Sequence, residues 1–188
     1  HHIAADGWSL NILLDEFAKL YAARCQGLEA NLAPLPLGYA DYGSWQRQWL
    51  AEGEAERQLQ YWQARLGDEL PVLDLCTDHP RASQRDHRAA RFSFKVPAKL
   101  TEALKGLARE QQASLFMVLL AAFKLLLARW SGQDDVVVGT PVAGRGQPEL
   151  DHLIGFFTDT LVLRTRIDVD ADVRALLEQV RATSLGAF

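Results

Sequence analysis

The stretch from Leu115 to Leu127 constrains the fold most, because every residue in it except Lys124 is apolar. It is shorter than the roughly 20 residues that a helix needs to cross a bilayer. A helix that is apolar on all sides is typical of a protein interior. The stretch therefore predicts a central, buried helix from Ser114 to Trp130, with the rest of the chain packed around it.

Hydrophobic spacing predicts further helices on both sides of this segment. Apolar side chains recur at intervals of three and four residues, which places them on one helix face. The predicted helices are Gly7 to Arg24, a helix capped by Asp41 or Ser44 that runs through Leu50, Glu54 to Leu66, Pro97 to Gln112, and Val173 to Leu185. The side chains predicted to anchor the core are Trp45, Trp49 and Trp62.

Three other segments have the pattern of β-strands, in which successive side chains alternate between two faces. They are Ala90 to Val96, the valine-rich stretch Asp135 to Gly139, and Phe157 to Ile167. The glycine-rich stretch between the last two, which contains Gly144-Arg145-Gly146, predicts only a turn. Helix pairs between strands predict an α/β fold.

The composition is that of an ordinary globular protein and narrows the possible functions. The chain has 188 residues, 48% of them hydrophobic, and a formal net charge of −4 at pH 7. This charge gives no reason to expect nucleic acid or a membrane surface as a partner. Two widely separated cysteines, Cys25 and Cys76, form no disulfide framework, which predicts a reducing, cytoplasmic location.

The clearest chemical signal lies in the first seven residues, which include His1, His2, Asp6 and Gly7. Histidine titrates near neutral pH, and an acid four residues after His2 can hold a ring or a loop in place. We expect Gly7 to let the backbone turn sharply before the first helix. The pattern predicts an acid–base site at a loop-to-helix junction.

Three simpler explanations of the paired histidines remain open at this point. The pair can be the remnant of an affinity tag, a structural pair, or half of a metal site. The other histidines, His79, His87 and His152, are isolated in the sequence, so there is no second cluster of metal ligands. We therefore expect no bound metal.

Three segments occur in the order and spacing of the motifs of one enzyme family. They are His1-His2-x-x-x-Asp6-Gly7-Trp8-Ser9, Tyr39-Ala40-Asp41-Tyr42-Gly43-Ser44-Trp45-Gln46 and Ile154-Gly155-Phe156-Phe157-Thr158-Asp159-Thr160-Leu161-Val162-Leu163-Arg164. Together they resemble the motifs of condensation domains of non-ribosomal peptide synthetases. The first and third motifs resemble the subtype that joins an L-configured donor to an L-configured acceptor. One position departs from the family, because Asp159 stands where asparagine is usual.

The resemblance implies a fold similar to that of chloramphenicol acetyltransferase, with two lobes of sheet and helices and a tunnel between them. We expect residues 1–75 to be the remainder of the N-terminal lobe, 76–89 the connector, and 90–188 the first part of the C-terminal lobe. Since complete domains of this family are longer, the chain is expected to be an internal fragment. Such a fragment should be inactive alone and prone to aggregate through exposed helix faces.

The resemblance also implies a reaction, in which the amine of a carrier-bound acceptor attacks the thioester of a carrier-bound donor. His2 is expected to act as the base or to position the amine. Asp6 is expected to pair with an arginine outside this chain, and Gly7 to direct its N–H toward the developing oxyanion. The residues predicted to line the tunnel are His1, Trp8, Ser9 and Asp159.

No cofactor is expected to bind directly, because the resemblance implies substrates carried on phosphopantetheine arms of partner proteins. Those partners are an upstream donor carrier domain and a downstream acceptor carrier domain, beside an adjacent adenylation domain. Two alternatives stay open: an epimerisation, cyclisation or ester-forming relative of the same fold, and a degenerate module that only docks carrier proteins. Intact His2, Asp6 and Gly7 argue against a degenerate module, whereas Asp159 favours it.

Overall fold

A computed structural model of the chain describes residues 1–79, 89–168 and 170–188. Its regular elements are α1 (Gly7–Cys25), α2 (Tyr39–Trp49), α3 (Ala55–Leu66), α4 (Ala98–Glu110), α5 (Leu115–Ser131), β1 (Asp135–Val142), β2 (Asp159–Arg166) and α6 (Val173–Ala187). A π-helical turn, Leu50–Glu54, joins α2 to α3, and a 3-10 helix, Pro148–Leu150, lies between the strands. This mixture of helices and strands confirms the predicted α/β class.

The chain forms two compact units. One contains His1–Gly67 and Thr140–Leu161, and the other contains Asp68–Gly139 and Val162–Phe188. Residues 140–161 belong to the first unit because they are hydrogen-bonded to the loop before α1 and to the first turn of that helix. Most of the predicted connector, residues 80–88, lies outside the described part of the chain. How the lobes divide in a complete domain stays a prediction.

The core of the second unit lies along one face of α5. The buried side chains of this helix are Met117, Val118, Leu120, Ala121, Lys124, Leu127 and Ala128. Side chains of α4 and α6 pack against them, but on the other face of α5 Leu119 and Leu126 are about half exposed. The predicted helix is confirmed, whereas its complete burial is wrong for the described residues. No single described helix is long and apolar enough to cross a membrane.

Lys124 interrupts the apolar stretch because its amine has two partners on β2. The side chain is fully buried, and its Nζ donates to the Leu163 carbonyl oxygen at 2.7 Å and to Thr165 Oγ1 at 2.6 Å. Burial lowers the pKa of Lys124 to about 8, an effect that the charge of Asp135 partly opposes. The buried amine of Lys124 therefore has hydrogen-bond acceptors, as a buried polar group requires, and these bonds link α5 to β2.

The two strands form an antiparallel pair. Ile167, just after β2, donates its N–H to the carbonyl oxygen of Asp134, just before β1, at 2.7 Å. At the other ends of the strands, Gly144 lies against the carbonyl oxygen of Phe157. The start of one strand therefore lies beside the end of the other.

The strand predicted for Ala90 to Val96 does not form. Residues 89–97 have no regular secondary structure, and Phe92 and Phe94 are 88% and 76% exposed. A strand is stable only when a neighbouring strand takes up its backbone hydrogen bonds, and no described segment pairs with this one. The prediction is wrong because an alternating pattern shows which side chains share a strand face but does not show that a neighbouring strand is available.

α2 begins earlier than its sequence predicted. Gly38 is the N-cap, and Asp41 accepts the Gly38 N–H at 2.7 Å, so Asp41 lies in the first turn rather than at the cap. Trp45 and Trp49 stack with ring centroids 5.5 Å apart, but both remain more than one-third exposed. The prediction that they anchor the core is wrong for the described residues, and Trp62 is only partly buried.

α1 is confirmed where it was predicted, with Asp6 as its N-cap. Gly27 has a φ of +68° just after the helix, and its N–H donates to the Arg24 carbonyl oxygen, as in a glycine-terminated helix. The apolar stripe of α1 is nevertheless about half exposed or more along its length. It consists of Leu10, Leu13, Leu14, Phe17, Leu20 and Tyr21.

Candidate functional site

Three parts of the first unit meet around Gly155. The loop before α1 contributes the Asp6 N–H, which donates to the Gly155 carbonyl oxygen at 3.1 Å. α2 contributes Tyr39, whose hydroxyl donates to the Phe156 carbonyl oxygen at 2.7 Å. These contacts belong to the three motif regions found in the sequence, and the fold brings all three together.

Asp6 is the polar centre of this junction and is only 2% exposed. Its Oδ1 accepts the Ser9 N–H at 2.8 Å, which caps α1, and the Ser9 hydroxyl at 2.7 Å. Its Oδ2 accepts the Phe157 N–H at 3.1 Å. The guanidinium of Arg145 lies 3.3 Å from Oδ1. One carboxylate thus joins the start of α1 to the segment before β2.

Arg145 is the cationic partner of Asp6. We expected this arginine outside the chain, and that expectation is wrong. The Arg145 guanidinium also donates to the carbonyl oxygens of Leu150 and, at 2.9 Å, Leu153. Its Cζ lies 4.1 Å from the centre of the Phe157 ring. Since both charged side chains are only 1% exposed, this is a buried ion pair with several supporting hydrogen bonds.

The sequence contained a signal for Arg145 in the glycines on either side of it. Gly144 has a φ of +64°, which glycine adopts without the cost that a Cβ would impose. A Cβ at this position would also collide with the Phe157 carbonyl oxygen. The glycine lets the chain pass close to Phe157, and the next residue reaches the buried acid. The pattern Gly144-Arg145-Gly146 by itself predicts only a turn and does not identify Arg145 as the partner of Asp6.

Hydrogen bonding keeps Asp6 ionised despite its burial. Burial alone would raise the pKa of this carboxyl group, but the hydrogen bonds from Ser9 and Phe157 and the charge of Arg145 outweigh that effect. Together they lower the pKa of Asp6 from 3.8 to about 2. The group is therefore a carboxylate at neutral pH and acts only as an acceptor.

The lowered pKa of Asp6 predicts a contribution to the free energy of unfolding that depends on pH. Because the folded protein binds the proton of Asp6 less tightly than the unfolded chain, the contribution is fully present above about pH 4 and is lost as the pH falls toward 2. Its size is about 2 kcal/mol. We expect the unfolding free energies of wild type and Asp6→Asn to converge by that amount between about pH 5 and pH 2 in urea denaturation. A constant difference would contradict the lowered pKa.

Ser9 is fully buried, and its hydroxyl uses all of its hydrogen-bonding capacity. Oγ accepts the Gly155 N–H at 3.1 Å and an Arg145 N–H at 2.9 Å. Its own proton lies between Asp6 Oδ1 at 2.7 Å and the Gly155 carbonyl oxygen at 2.8 Å. The hydroxyl therefore holds the peptide groups on both sides of Gly155. In the described contacts Ser9 is structural, and its place in a tunnel wall stays a prediction.

Gly155 is required by close packing rather than by its backbone conformation. A Cβ at this position would overlap the Tyr39 ring and lie 2.9 Å from a carbon of the Phe157 ring. These two rings meet edge-on, with centroids 5.2 Å apart. Any side chain at Gly155 would therefore push the start of α2 away from the segment before β2.

The His2 imidazole lies on the exposed surface beside this junction. Its Nδ1 is 3.1 Å from the Ala5 carbonyl oxygen. Because a carbonyl oxygen only accepts, this contact assigns a proton to Nδ1, and in the neutral ring the lone pair is then on Nε2. The Phe156 ring meets the imidazole edge-on, with centroids 5.0 Å apart and an interplanar angle of 70°. This arrangement presents Nε2 as a basic nitrogen.

His1 and Gly7 occupy simpler positions. His1 Nδ1 accepts the Ile3 N–H at 3.2 Å, so its described contact is with its own loop. Gly7 is the first residue of α1, its φ is not positive, and a Cβ on it would meet no described atom within 4 Å. The expected sharp turn at Gly7 is therefore wrong. As an oxyanion donor, Gly7 stays a prediction.

Trp8 lies above the buried ion pair. Its indole Nε1 donates to the Asp151 carbonyl oxygen at 2.9 Å, and the Arg145 Cζ is 5.7 Å from the ring centre. Trp8 nevertheless remains 46% exposed. Its role as a tunnel residue stays a prediction.

Asp159 is the first residue of β2 and has an exposed side chain. Its Oδ1 accepts the Thr160 N–H at 2.7 Å. Burial raises the pKa of the Tyr42 phenol, and the neighbouring Tyr39 and the charge of Asp159 add to this effect. The carboxylate therefore acts on its surroundings through its charge, and its place in a tunnel stays a prediction.

Comparison with known proteins identifies the relatives of the chain. Residues 1–188 match the condensation-domain family. The chain is 49% identical, over 188 residues, to a linear gramicidin synthase subunit from Brevibacillus parabrevis, with 100% of this chain and 2% of that protein covered. It is 46% identical to phosphinothricin tripeptide synthetase PhsC of Streptomyces viridochromogenes, with 100% and 17% covered.

A solved structure has the same fold. The first condensation domain of the calcium-dependent antibiotic synthetase, in complex with a substrate analogue, superposes with a TM-score of 0.80 at 26% sequence identity. The match covers 99% of this chain and 42% of that one, so the chain spans less than half of the solved structure and a small part of its longer relatives. This similarity confirms the predicted chloramphenicol acetyltransferase-like fold, of which the chain is a part. The chain belongs to the condensation-domain family.

Proposed function

We propose that this chain carries the catalytic histidine of a domain that forms peptide bonds in a non-ribosomal peptide synthetase. The observation that carries the proposal is the His2 ring, whose Nδ1 faces the Ala5 carbonyl oxygen and whose Nε2 has no partner among the residues that the structure describes. The loop that holds this ring ends in a buried, hydrogen-bonded acid, Asp6. A ring nitrogen carried on such a loop is suited to accept a proton from an attacking amine or to orient that amine.

The proposed reaction joins two carrier-bound substrates. The acceptor amine attacks the donor thioester carbonyl, a C–N bond forms, the C–S bond breaks, and the donor arm leaves as a thiol. His2 Nε2 accepts a proton from the attacking amine, or orients it, and the proton passes finally to the sulfur. A positioned base contributes roughly 10²–10⁴ in rate. Holding two tethered substrates in line contributes more, with effective molarities of about 10⁵ M or above.

The start of α1 supplies a donor for the oxyanion of the tetrahedral intermediate. N–H groups in the first turn of a helix have no partner within the helix. The Asp6 side chain takes the Ser9 N–H, whereas no described residue accepts the N–H of Gly7. A backbone N–H in this position can stabilise negative charge as it develops on the substrate oxygen.

Acyl transfer in the complete domain tests the proposal directly. The domain would be produced with its donor and acceptor carrier domains, each loaded with an aminoacyl phosphopantetheine thioester. Intact-mass spectrometry should then show the acceptor arm gaining the mass of the donor acyl group. If both carriers are shown to be loaded and no transfer occurs, the chain belongs to a carrier-docking module without catalysis, and the proposal fails.

The proposal includes the partners and the stereochemical subtype. The substrates arrive on phosphopantetheine arms of an upstream donor and a downstream acceptor carrier domain, with an adenylation domain adjacent and the cytoplasm as location. Residues Asp6 to Ser9 and Gly155 to Phe157 support an L-configured donor and acceptor. A competition between L- and D-aminoacyl donor carriers should therefore yield the L-derived product.

Asp159→Asn is expected to keep or raise the condensation rate in the complete domain. A carboxylate only accepts hydrogen bonds and its charge opposes a nearby oxyanion, whereas an amide can also donate. Single-turnover transfer measures the effect, and Asp159→Glu is the matched variant that retains the charge. A loss of more than about tenfold in Asp159→Asn, with Asp159→Glu active, would show that the carboxylate itself is needed.

The 188-residue chain alone is expected to be inactive and to self-associate. Its helices expose large apolar side chains in rows, among them Leu14 and Phe17 on α1 and Phe123 and Trp130 on α5. Contiguous apolar surface of this kind drives association. Size-exclusion chromatography with light scattering, followed by a thermal melt, would measure the state of the chain. A soluble monomer with one cooperative transition contradicts the expectation.

A further inference from the structure

The Phe156 side chain is partly exposed beside the proposed base. Its ring is 40% accessible, although the flanking Gly155 and Phe157 are both buried. It meets the His2 imidazole edge-on, with ring centroids 5.0 Å apart and an interplanar angle of 70°. Edge-on pairs at this separation are attractive because the positive edge of one ring faces the negative face of the other.

The backbone that carries Phe156 is fixed on both sides. Its own carbonyl oxygen accepts the Tyr39 hydroxyl at 2.7 Å. Before it, Gly155 is bound through its N–H and its carbonyl oxygen by the buried Ser9 hydroxyl. After it, the Phe157 N–H donates to a buried carboxylate oxygen at 3.1 Å. The position of the Phe156 ring therefore depends on only two side-chain dihedral angles.

His2 is held by fewer contacts. Those described for its side chain are the Nδ1 contact with the Ala5 carbonyl oxygen and the edge-on contact with the Phe156 ring. Rotation of the imidazole about its bond to Cβ would break the first contact and turn Nε2 away from its present direction. A rigid ring against one side of the imidazole opposes that rotation.

We propose that Phe156 is a positioning residue that holds the His2 imidazole with Nδ1 toward Ala5 and Nε2 toward the substrate. The inference rests on the proposed function, in which Nε2 is the base. It extends that function by assigning the orientation of the base to an aromatic side chain in a separate part of the sequence. Phe156 acts through His2 and takes no part in the bond changes.

Substitution of Phe156 in the complete domain tests the inference. Phe156→Leu should lower the single-turnover rate of acyl transfer by about three- to tenfold, the value of one lost aromatic contact. The carrier concentration that gives half-maximal rate should not change, because carrier docking is untouched. Phe156→Tyr should keep the wild-type rate, since tyrosine retains the aromatic ring. Unchanged transfer in Phe156→Leu overturns the proposal.

Tyr61→Leu is the matched control. The Tyr61 ring meets Trp62 edge-on at 5.1 Å and 81° on α3, a pair with nearly the same geometry. No described contact links it to His2. Tyr61→Leu should therefore leave the transfer rate unchanged. An equal fall in the transfer rates of Phe156→Leu and Tyr61→Leu would show a general loss of stability and overturn the positioning role of Phe156.

A spectroscopic measurement separates positioning from mere packing. In the complete domain labelled with ¹⁵N-histidine, and with the signals of His2 assigned from the His2→Gln spectrum, the ring nitrogens report which one carries the proton. Wild type and Phe156→Tyr should show the Nδ1–H form, and Phe156→Leu should show a mixture of both tautomers. An unchanged tautomer in Phe156→Leu refutes the inference, whatever happens to the rate.

The same pair of measurements keeps the inference distinct from the proposed function. If the wild-type domain transfers no acyl group, the proposed function fails, and the tautomer shift still decides whether Phe156 orients His2. A second outcome is that the wild-type domain transfers the acyl group, whereas Phe156→Leu changes the carrier concentration that gives half-maximal rate and leaves the His2 tautomer unchanged. Phe156 then contacts the substrate, and its positioning role is overturned.

Discussion

Replacing His2 by alanine in the complete domain is expected to lower the rate of acyl transfer at least about a hundredfold. In the structure Nδ1 of His2 contacts the Ala5 carbonyl oxygen, Nε2 has no partner among the described residues, and the proposed function makes Nε2 the base. Without the imidazole, the attacking amine has to lose its proton to water. Intact-mass spectrometry of the acceptor carrier, sampled over time after mixing with loaded donor carrier, measures the rate.

His1→Ala is the matched control for this experiment. It removes the same side chain one position earlier, where Nδ1 accepts the Ile3 N–H and supports only the loop. We expect a loss of less than about tenfold in this variant. Transfer that survives in His2→Ala at more than a few per cent of the wild-type rate would leave the reaction standing and reduce His2 to a residue that positions the amine.

The sequence predicted the helices well because their signals are local. Asp6 caps α1 and Ser114 caps α5 where the spacing of apolar residues begins, and the observed bounds of these two helices lie within one residue of the predicted ones. The same reasoning failed where the outcome depends on distant partners. Phe92 and Phe94 alternate as in a strand, yet no described segment pairs with them.

The candidate site was predictable in part for the same reason. His2 and Asp6 lie four residues apart in one loop, so their pattern is visible in the chain. Arg145 lies 139 residues away from Asp6, in a glycine-rich turn with no periodicity. Only a physical requirement pointed to it, because an acid at the buried end of a helix needs a cation or several N–H donors nearby. The contact of Phe156 with His2 had no signal in the sequence.

Arg145→Met should lower the free energy of unfolding by about 3–5 kcal/mol, the largest stability effect that the structure predicts. Methionine retains much of the side-chain volume but removes the charge that faces Asp6. It also leaves the carbonyl oxygens of Leu150 and Leu153 without their donor. Urea denaturation of the complete domain, followed through tryptophan fluorescence, measures the loss.

The surface pair of Lys19 and Asp15 provides the control for charge removal. These side chains form an ion pair at 2.6 Å on α1 but are 59% and 63% exposed. Lys19→Met should leave the free energy of unfolding almost unchanged, because water screens an exposed pair. A loss below about 1 kcal/mol in Arg145→Met would contradict the buried ion pair.

The loss of stability in Arg145→Met should come mainly from the unpaired Asp6 carboxylate. A second substitution separates this contribution from the loss of the hydrogen bonds to Leu150 and Leu153. In Arg145→Met, the charge of Asp6 remains buried with only the N–H groups of Ser9 and Phe157 and the Ser9 hydroxyl as donors. Adding Asp6→Asn to Arg145→Met removes that charge, while an amide oxygen can still accept from Ser9 and cap α1. The double variant should therefore be more stable than Arg145→Met alone. Simple additivity of the two losses would show that Arg145 stabilises the fold through Leu150 and Leu153 rather than through Asp6.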